Sequence, residues 1–212
     1  MGKIKFIYFD IGGVMIRDFS NTNKWNELTT SWKIFGERKK DIDGFSYGIE
    51  KEVSEGRDID DFLPILKSVF EVKVPEKYSI LKDFVDRFEK NEKIWKIVEE
   101  CKKKYRVGLL TNMYPRMFDS INKRNLMPKN CWEIIIDSAV EKCSKPDEKI
   151  YKIAQERAKV KPEEILFVDN LKKNLEAATK LGWQTFWFDN KDYEKANREL
   201  EKFLNLPPSP LL

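Results

Sequence analysis

With 212 residues, 41% apolar and 36% charged, the chain is long enough for one packed core with a smaller inserted unit. Forty basic residues against thirty-six acidic ones leave a net charge of +4 spread along the chain, which argues against a nucleic-acid surface; the complete absence of histidine excludes His-based triads, His metal sites and an imidazole base. No apolar run approaches a membrane span and the chain opens on a strand pattern rather than a secretory leader, so a cytoplasmic protein is expected, with no membrane partner and with Cys101, Cys131 and Cys143 as reduced thiols.

Residues 4–9 are short, almost continuously apolar and rich in aromatic and branched side chains, which predicts a buried strand. It ends on Asp10, followed by Gly12 and Gly13, whose missing side chains let the backbone turn sharply. From Arg17 to about Glu89 the pattern becomes helical, with few strand candidates. Asp58 and Asp61 resemble a helix N-terminal cap ahead of an apolar stripe of Phe62, Leu63, Leu66 and Phe70, and Leu81, Phe84, Val85 and Phe88 supply another.

A regular alternation follows. A helix over 91–104 leads into a strand over 106–110 and the turn Thr111, Asn112; a short helix near 116–124 precedes a strand over 132–136. Asp147 starts a helix on which Ile150, Ile153, Ala154 and Ala158 share a face, and Pro162 breaks it before a strand over 165–168 that ends at Asp169 and Asn170. Leu175, Ala178 and Leu181 form the next helical stripe, stopped by Gly182, before a strand over 185–188 and a helix over 193–204. Apolar strands alternating with helices predict an α/β fold: a three-layer α/β/α, Rossmann-like parallel sheet covered on both faces.

Ligands bind such sheets beyond the carboxyl ends of the strands, where Asp10, Thr111, Asn112, Asp169 and Asn170 all fall. Two carboxylates at neighbouring strand ends repel each other unless a cation or proton lies between them, so Asp10 and Asp169 make an oxygen-rich site suited to Mg²⁺. Lys145 offers a fixed positive charge that offsets an anionic substrate and the carboxylates together. Thr111 and Asn112 offer donors for phosphoryl oxygens or for orienting Asp10.

These segments resemble the haloacid dehalogenase (HAD) superfamily of aspartate-nucleophile hydrolases. The first motif matches FDIGGVM from Phe9 to Met15, the second LLTN from Leu109 to Asn112, the third SKPD from Ser144 to Asp147, and the fourth FVDN from Phe167 to Asn170, continuing through Asn174 and Ala178 to Gly182. The resemblance implies a core of residues 1–15 plus 90–205, an inserted helical cap over 16–89 and a Pro-rich tail over 206–212, closest in style to the sugar-phosphatase and dehalogenase-like branch. It implies that Asp10 is the nucleophile and a Mg²⁺ ligand, with the Gly12 carbonyl and Asp169 completing the protein's share of the metal site. Thr111 then holds a phosphoryl oxygen, Asn112 orients groups near the nucleophile, Lys145 neutralises charge, and Asn170 and Asn174 support the site. The implied substrate is a small phosphorylated metabolite.

The sequence departs from that pattern at Gly12, where phosphatases of the family carry an Asp that protonates the leaving group and activates water; such help is worth roughly 10²–10⁴-fold. Asp18, near the entrance to the cap, is a candidate to compensate. Asn170 stands where a second acid is common and brings no charge. Three functions stay open: a metal-dependent phosphatase, a weakly active or non-catalytic binding protein, and a 2-haloacid dehalogenase, whose halide needs no protonation but whose fourth motif resembles Ser-Ser-Asn. Substrate choice falls to the cap, which offers Trp25, Trp32, Phe45 and Tyr47. The sequence is silent on oligomeric state.

Overall fold

A computed structural model describes residues 2–129 and 132–207; Cys131 and most of the Pro-rich tail lie outside the described residues. In chain order, β1 (Phe6–Phe9) and β2 (Ile16–Arg17) precede the helices α1 (Lys24–Ser31), α2 (Glu37–Ser54), α3 (Leu63–Ser68) and α4 (Ile80–Asp86), and β3 (Glu89–Lys90) follows. Then come α5 (Glu92–Lys102), β4 (Arg106–Thr111), α6 (Met117–Lys123), β5 (Ile134–Asp137), α7 (Ser138–Glu141), α8 (Glu148–Ala158), β6 (Ile165–Asp169), α9 (Lys172–Lys180), β7 (Gln184–Trp187) and α10 (Tyr193–Phe203). Boundaries shift from the sequence-based expectation by one to three residues, and β4 runs on through Thr111 instead of turning there.

The five-stranded sheet has the order β5-β4-β1-β6-β7 with every pair parallel. Alternation along the central strand explains the three layers. Ile7 and Phe9 face one apolar cluster with Ile94, Ile97 and Val98 of α5 and Leu200 of α10. Phe6 and Tyr8 face the other, with Ile150, Tyr151 and Ala154 of α8 and Ala178 of α9. Because β4 and β6 flank β1 on opposite sides, the strand order reverses at β1, and the crevice opens beyond its carboxyl end.

The helical insertion has a feature the sequence pattern did not signal. β2 and β3 pair antiparallel, Ile16 with Lys90 and Arg17 with Glu89, and close its neck where the chain leaves and re-enters the sheet. Two-residue strands are too short for a periodic signature. Asp58 does act as a cap, but its carboxylate accepts from the Asp60 amide and starts a 3₁₀ turn over Ile59–Phe62 ahead of α3. Polar contacts tie cap to core around the crevice. Arg116 donates to Asp58 and Asp60 at 2.5 and 3.0 Å, Arg124 to the Val85 carbonyl at 2.8 Å, and Ser138 to the Ser54 carbonyl at 2.5 Å. Among the described residues no helix is long and apolar enough to cross a membrane.

Candidate active site

Asp10 follows directly on β1, whose pairing continues through its amide, donating to the Val168 carbonyl at 2.9 Å. One step along, the Ile11 amide donates to Asp10 Oδ1 at 2.7 Å and aims the carboxylate off the sheet edge. Gly13 has φ 73°, a left-handed conformation that needs glycine, whereas Gly12 has no positive φ. Both glycines were expected to serve the turn; only Gly13 does so by its backbone. A β-carbon on Gly12 would instead overlap Asp18 Oδ2, so glycine stands there to admit the Asp18 carboxylate.

Lys145 joins the two acids. Its buried ammonium lies 3.0 Å from Asp10 Oδ1 and 2.7 Å from Asp169 Oδ2, and it donates to the Leu110 carbonyl at 3.0 Å. The carboxylates therefore converge within the reach of one cation, as strand-end placement on either side of β1 requires. Asn112 secures this lysine from behind: its amide donates to the Lys145 carbonyl at 2.9 Å and its carbonyl accepts from the Lys145 amide at 2.8 Å. The bond from Lys145 to Pro146 is cis. Asp147, the last residue of the third motif, caps α8 by accepting from the Lys149 amide at 2.8 Å.

Asp169 is fully buried and saturated. Oδ1 accepts from the Leu171 amide at 2.7 Å, Oδ2 from Lys145, and the Asn174 amide reaches both oxygens at 3.2 and 3.0 Å. A cavity of about 500 Å³ over the acids is lined by Asp10, Gly12, Asp18, Lys145, Asn170 and Asn174 among others, but not by Asp169. Asp169 thus comes to a metal only by exchanging one of its protein donors, while Asn170 already faces the crevice. The Thr111 hydroxyl is buried without a partner of normal hydrogen-bond geometry, close enough to Asp10 to favour its charged form.

The electrostatics follow from burial. Burial pushes the Asp10 carboxyl up to about 7; the charge of Lys145 works against that shift, the Asp169 charge reinforces it, and the Lys145 ammonium contact and the nearby Thr111 hydroxyl oppose it. Burial also works against the Lys145 ammonium, but the charges of Asp10 and Asp169 more than offset it and hold its pKa above the ordinary lysine value. Burial raises Asp18, with the Ser20 amide, which donates to Asp18 Oδ1 at 2.9 Å, in opposition. A buried carboxylate with this much unrelieved negative charge beside it favours a further cation. The cavity is lined by the Asp10 carboxylate and Asn170 together with Asp18, Glu50 and Asp147, and so oxygen-rich a lining fits Mg²⁺, which keeps several waters and takes few protein ligands. Among the described residues no group of three or more acidic or cysteine side chains forms a metal cluster of its own.

The haloacid dehalogenase-like hydrolase family model matches residues 4–182. The chain belongs to this family. Among curated relatives, "Acyl-CoA dehydrogenase family member 10" of Mus musculus is 30% identical over 102 residues, covering 47% of the chain and 9% of that protein. "Bifunctional epoxide hydrolase 2" of Rattus norvegicus is 31% identical over 118 residues, covering 52% of the chain and 20% of that protein. The chain thus spans at most about a fifth of the length of either relative. Among solved structures, a HAD family enzyme of Bacteroides thetaiotaomicron superposes with a TM-score of 0.74 at 20% identity, covering 92% of this chain and 98% of that one. The same enzyme, solved in complex with magnesium and inorganic phosphate, gives 0.72 at 21% identity, covering 91% and 98%. The L-2-haloacid dehalogenase of Xanthobacter autotrophicus gives 0.63 at 16% identity, covering 96% and 85%. These likenesses establish the helical-capped HAD fold, and the chain is a HAD-like hydrolase.

What sequence reasoning missed lies in the cap and its rim. Phe19, Met113, Tyr114 and Met117 line a second cavity with Trp25 and Tyr47, whereas Trp32 and Phe45 pack inside the cap. Phe84 and Phe88 were legible as a helical stripe but not as cavity wall. A stripe looks the same whether it faces a core or a cleft.

Proposed function

We propose that this HAD-like hydrolase is a Mg²⁺-dependent phosphatase that cleaves a small phosphate monoester through an aspartyl-phosphate on Asp10. The observation that carries this reading is the Lys145 ammonium held between Asp10 and Asp169 at the open end of the sheet. It places a fixed positive charge where a phosphoryl group would meet the nucleophile, and phosphoryl transfer depends mainly on positioning and charge stabilisation. The magnesium and phosphate complex of the Bacteroides enzyme supports the reading by its fold.

In this scheme an Asp10 oxygen attacks phosphorus as the bond to the leaving alcohol breaks, forming the covalent intermediate, which water then cleaves to regenerate the carboxylate. Lys145 balances the charge gathered on Asp10 and the phosphoryl oxygens. Thr111, whose hydroxyl has no partner to lose, donates to a phosphoryl oxygen. Asn112 fixes the lysine by its main chain, and Asp169, itself held by Asn174, accepts from its ammonium. Mg²⁺, held by Asp10 with the Gly12 main chain and Asn170 as neighbours, would supply charge neutralisation of the transferring group; Asp169 supports that site through Lys145. Asp18 takes the part left empty by Gly12, giving a proton to the leaving alcohol and later taking one from water. Its Oδ1 is pinned by the Ser20 amide while Oδ2 fills the space above Gly12.

The test is a screen of phosphate esters with and without Mg²⁺, run beside Asp10→Asn, with mass spectrometry of the rapidly quenched protein. Turnover in wild type only, dependent on Mg²⁺, with a transient phosphoryl adduct on Asp10, is expected. Mg²⁺-dependent ligand binding with no turnover of any ester would favour the binding-protein alternative.

A further inference from the structure

The crevice has two chemically different ends. Beyond the polar cavity over Asp10 lies a second lobe of about 610 Å³ running beneath the cap, with walls of Phe19, Trp25, Phe84, Phe88, Met113 and Met117. Both lobes are lined by Gly12, Asp18, Glu50, Asn112 and Lys173, among others, so they form one continuous cleft. A molecule with its phosphoryl group over Asp10 therefore places its leaving group in the second lobe. The aromatic wall is preformed: ring centroids lie 4.8 Å apart for Phe19 and Phe84, 6.0 Å for Phe19 and Phe88, and 6.4 Å for Trp25 with either Phe19 or Phe84. Such tilted and edge-on packing holds the rings in place before any ligand arrives.

The charge of this lobe is one-sided. Among the described residues its acidic lining residues are Asp18, Asp43 and Glu50, and Lys173, at the junction with the phosphoryl end, is its one basic lining residue. Lys39 pairs with Asp43 and so cancels that charge. Glu50 has no such cation; it accepts from the Tyr114 hydroxyl at 2.7 Å, across the boundary between cap and core, and from Ser54 at 3.3 Å. Glu50, like Lys173, lines both lobes and so stands at their junction; past it the second lobe offers a carboxylate or second phosphate no basic lining residue among the described ones. An aromatic ring would instead exchange water for the rings and methionines of the wall.

We infer that the substrate is a phosphate monoester of an aromatic or similarly apolar alcohol carrying no second anionic group. This rests on the phosphatase reading and narrows it, away from sugar bisphosphates and phosphorylated carboxylic acids.

The test measures binding by calorimetry in Mg²⁺, using orthophosphate, methylphosphonate, phenylphosphonate and 4-carboxyphenylphosphonate on wild type and Met117→Ala, which trims a wall of the second lobe alone. Phenylphosphonate should bind at least about tenfold tighter than methylphosphonate, as burial of a ring implies. The carboxylated ring should lose most of that gain, and Met117→Ala should narrow the phenyl-to-methyl ratio while leaving methylphosphonate affinity unchanged. Equal affinity of the phenyl and methyl compounds, or tighter binding of the carboxylated ring in wild type, overturns the inference alone. Failure of orthophosphate and methylphosphonate to bind at all overturns the phosphatase reading beneath it.

Discussion

Asp18 Oδ2 stands in the space that a β-carbon on Gly12 would fill, so residues 12 and 18 compete for one position beside the nucleophile. If Asp18 acts there as the acid, Asp18→Asn should lower kcat/KM for alkyl phosphates by roughly 10²-fold or more, the worth of general acid catalysis. Aryl phosphates, whose leaving groups need little protonation, should lose far less. Steady-state kinetics on matched esters read the difference; an equal loss for both would assign Asp18 a structural part only.

Gly12→Asp alone should destabilise the protein by about 1–3 kcal/mol, because the new side chain must displace a half-buried carboxylate. Adding Asp18→Ala should return most of that loss by emptying the space. Denaturant titrations of the two single variants and the double variant give the coupling directly.

Lys145→Ala leaves two buried carboxylates facing each other with no cation between them. Breaking a buried pair of this kind costs about 3–5 kcal/mol. The same substitution in an Asp10→Asn background should cost clearly less, since one of the opposing charges has gone. Equal losses in both backgrounds, measured by urea unfolding, would contradict the bridging role.

The metal-free protein should show a distinctive pH dependence. Asp10 is held up to about 7 against an ordinary 3.8, so the folded state holds its proton more tightly than the unfolded chain does. Its contribution to stability is therefore complete below pH 3.8 and is lost as pH rises through about 7, with Asp18, also raised, acting in the same direction. Carboxylates held low by partners, such as Glu133 beside Arg106, act oppositely, so the informative quantity is wild type minus Asp10→Asn. That difference should fall between about pH 4 and 7 in EDTA and flatten in Mg²⁺, which binds the charged form. Unfolding free energies across this range check it.

Asn170 lines the cavity whereas Asp169 is committed to Lys145, Asn174 and Leu171. Asn170→Asp should therefore tighten Mg²⁺ binding by roughly tenfold, as a charged ligand replaces a neutral one. Asp169→Asn should weaken it less and lower stability more, because its first loss is the partner of a buried lysine. Calorimetric titration with Mg²⁺ beside thermal unfolding separates the two effects.

Local chemistry was enough to read the alternating elements, the parallel sheet and the polar ends of three strands. A buried strand declares itself by continuous apolar residues, a helix by its period, and a strand-end Asp followed by glycine by its contrast with both. The residues that meet at the crevice, Asp10, Thr111, Lys145 and Asp169, were legible for the same reason: each sits at a junction whose place in an α/β sheet is set by topology. Three things only the tertiary structure decided. Whether Asp18 reaches Gly12 depends on how the chain folds back between β1 and β2, a path with no periodic signature. Which of Asp169 and Asn170 faces the crevice depends on how the chain leaves β6, which ends at Asp169 and puts Asn170 in the bend beyond the strand. Whether Phe84 and Phe88 are core or cavity wall depends on the distance between cap and core, set by contacts such as Glu50 with Tyr114 and Arg116 with Asp58, between residues 64 and 58 positions apart in the chain. Pairings so distant leave no trace in any local window of sequence.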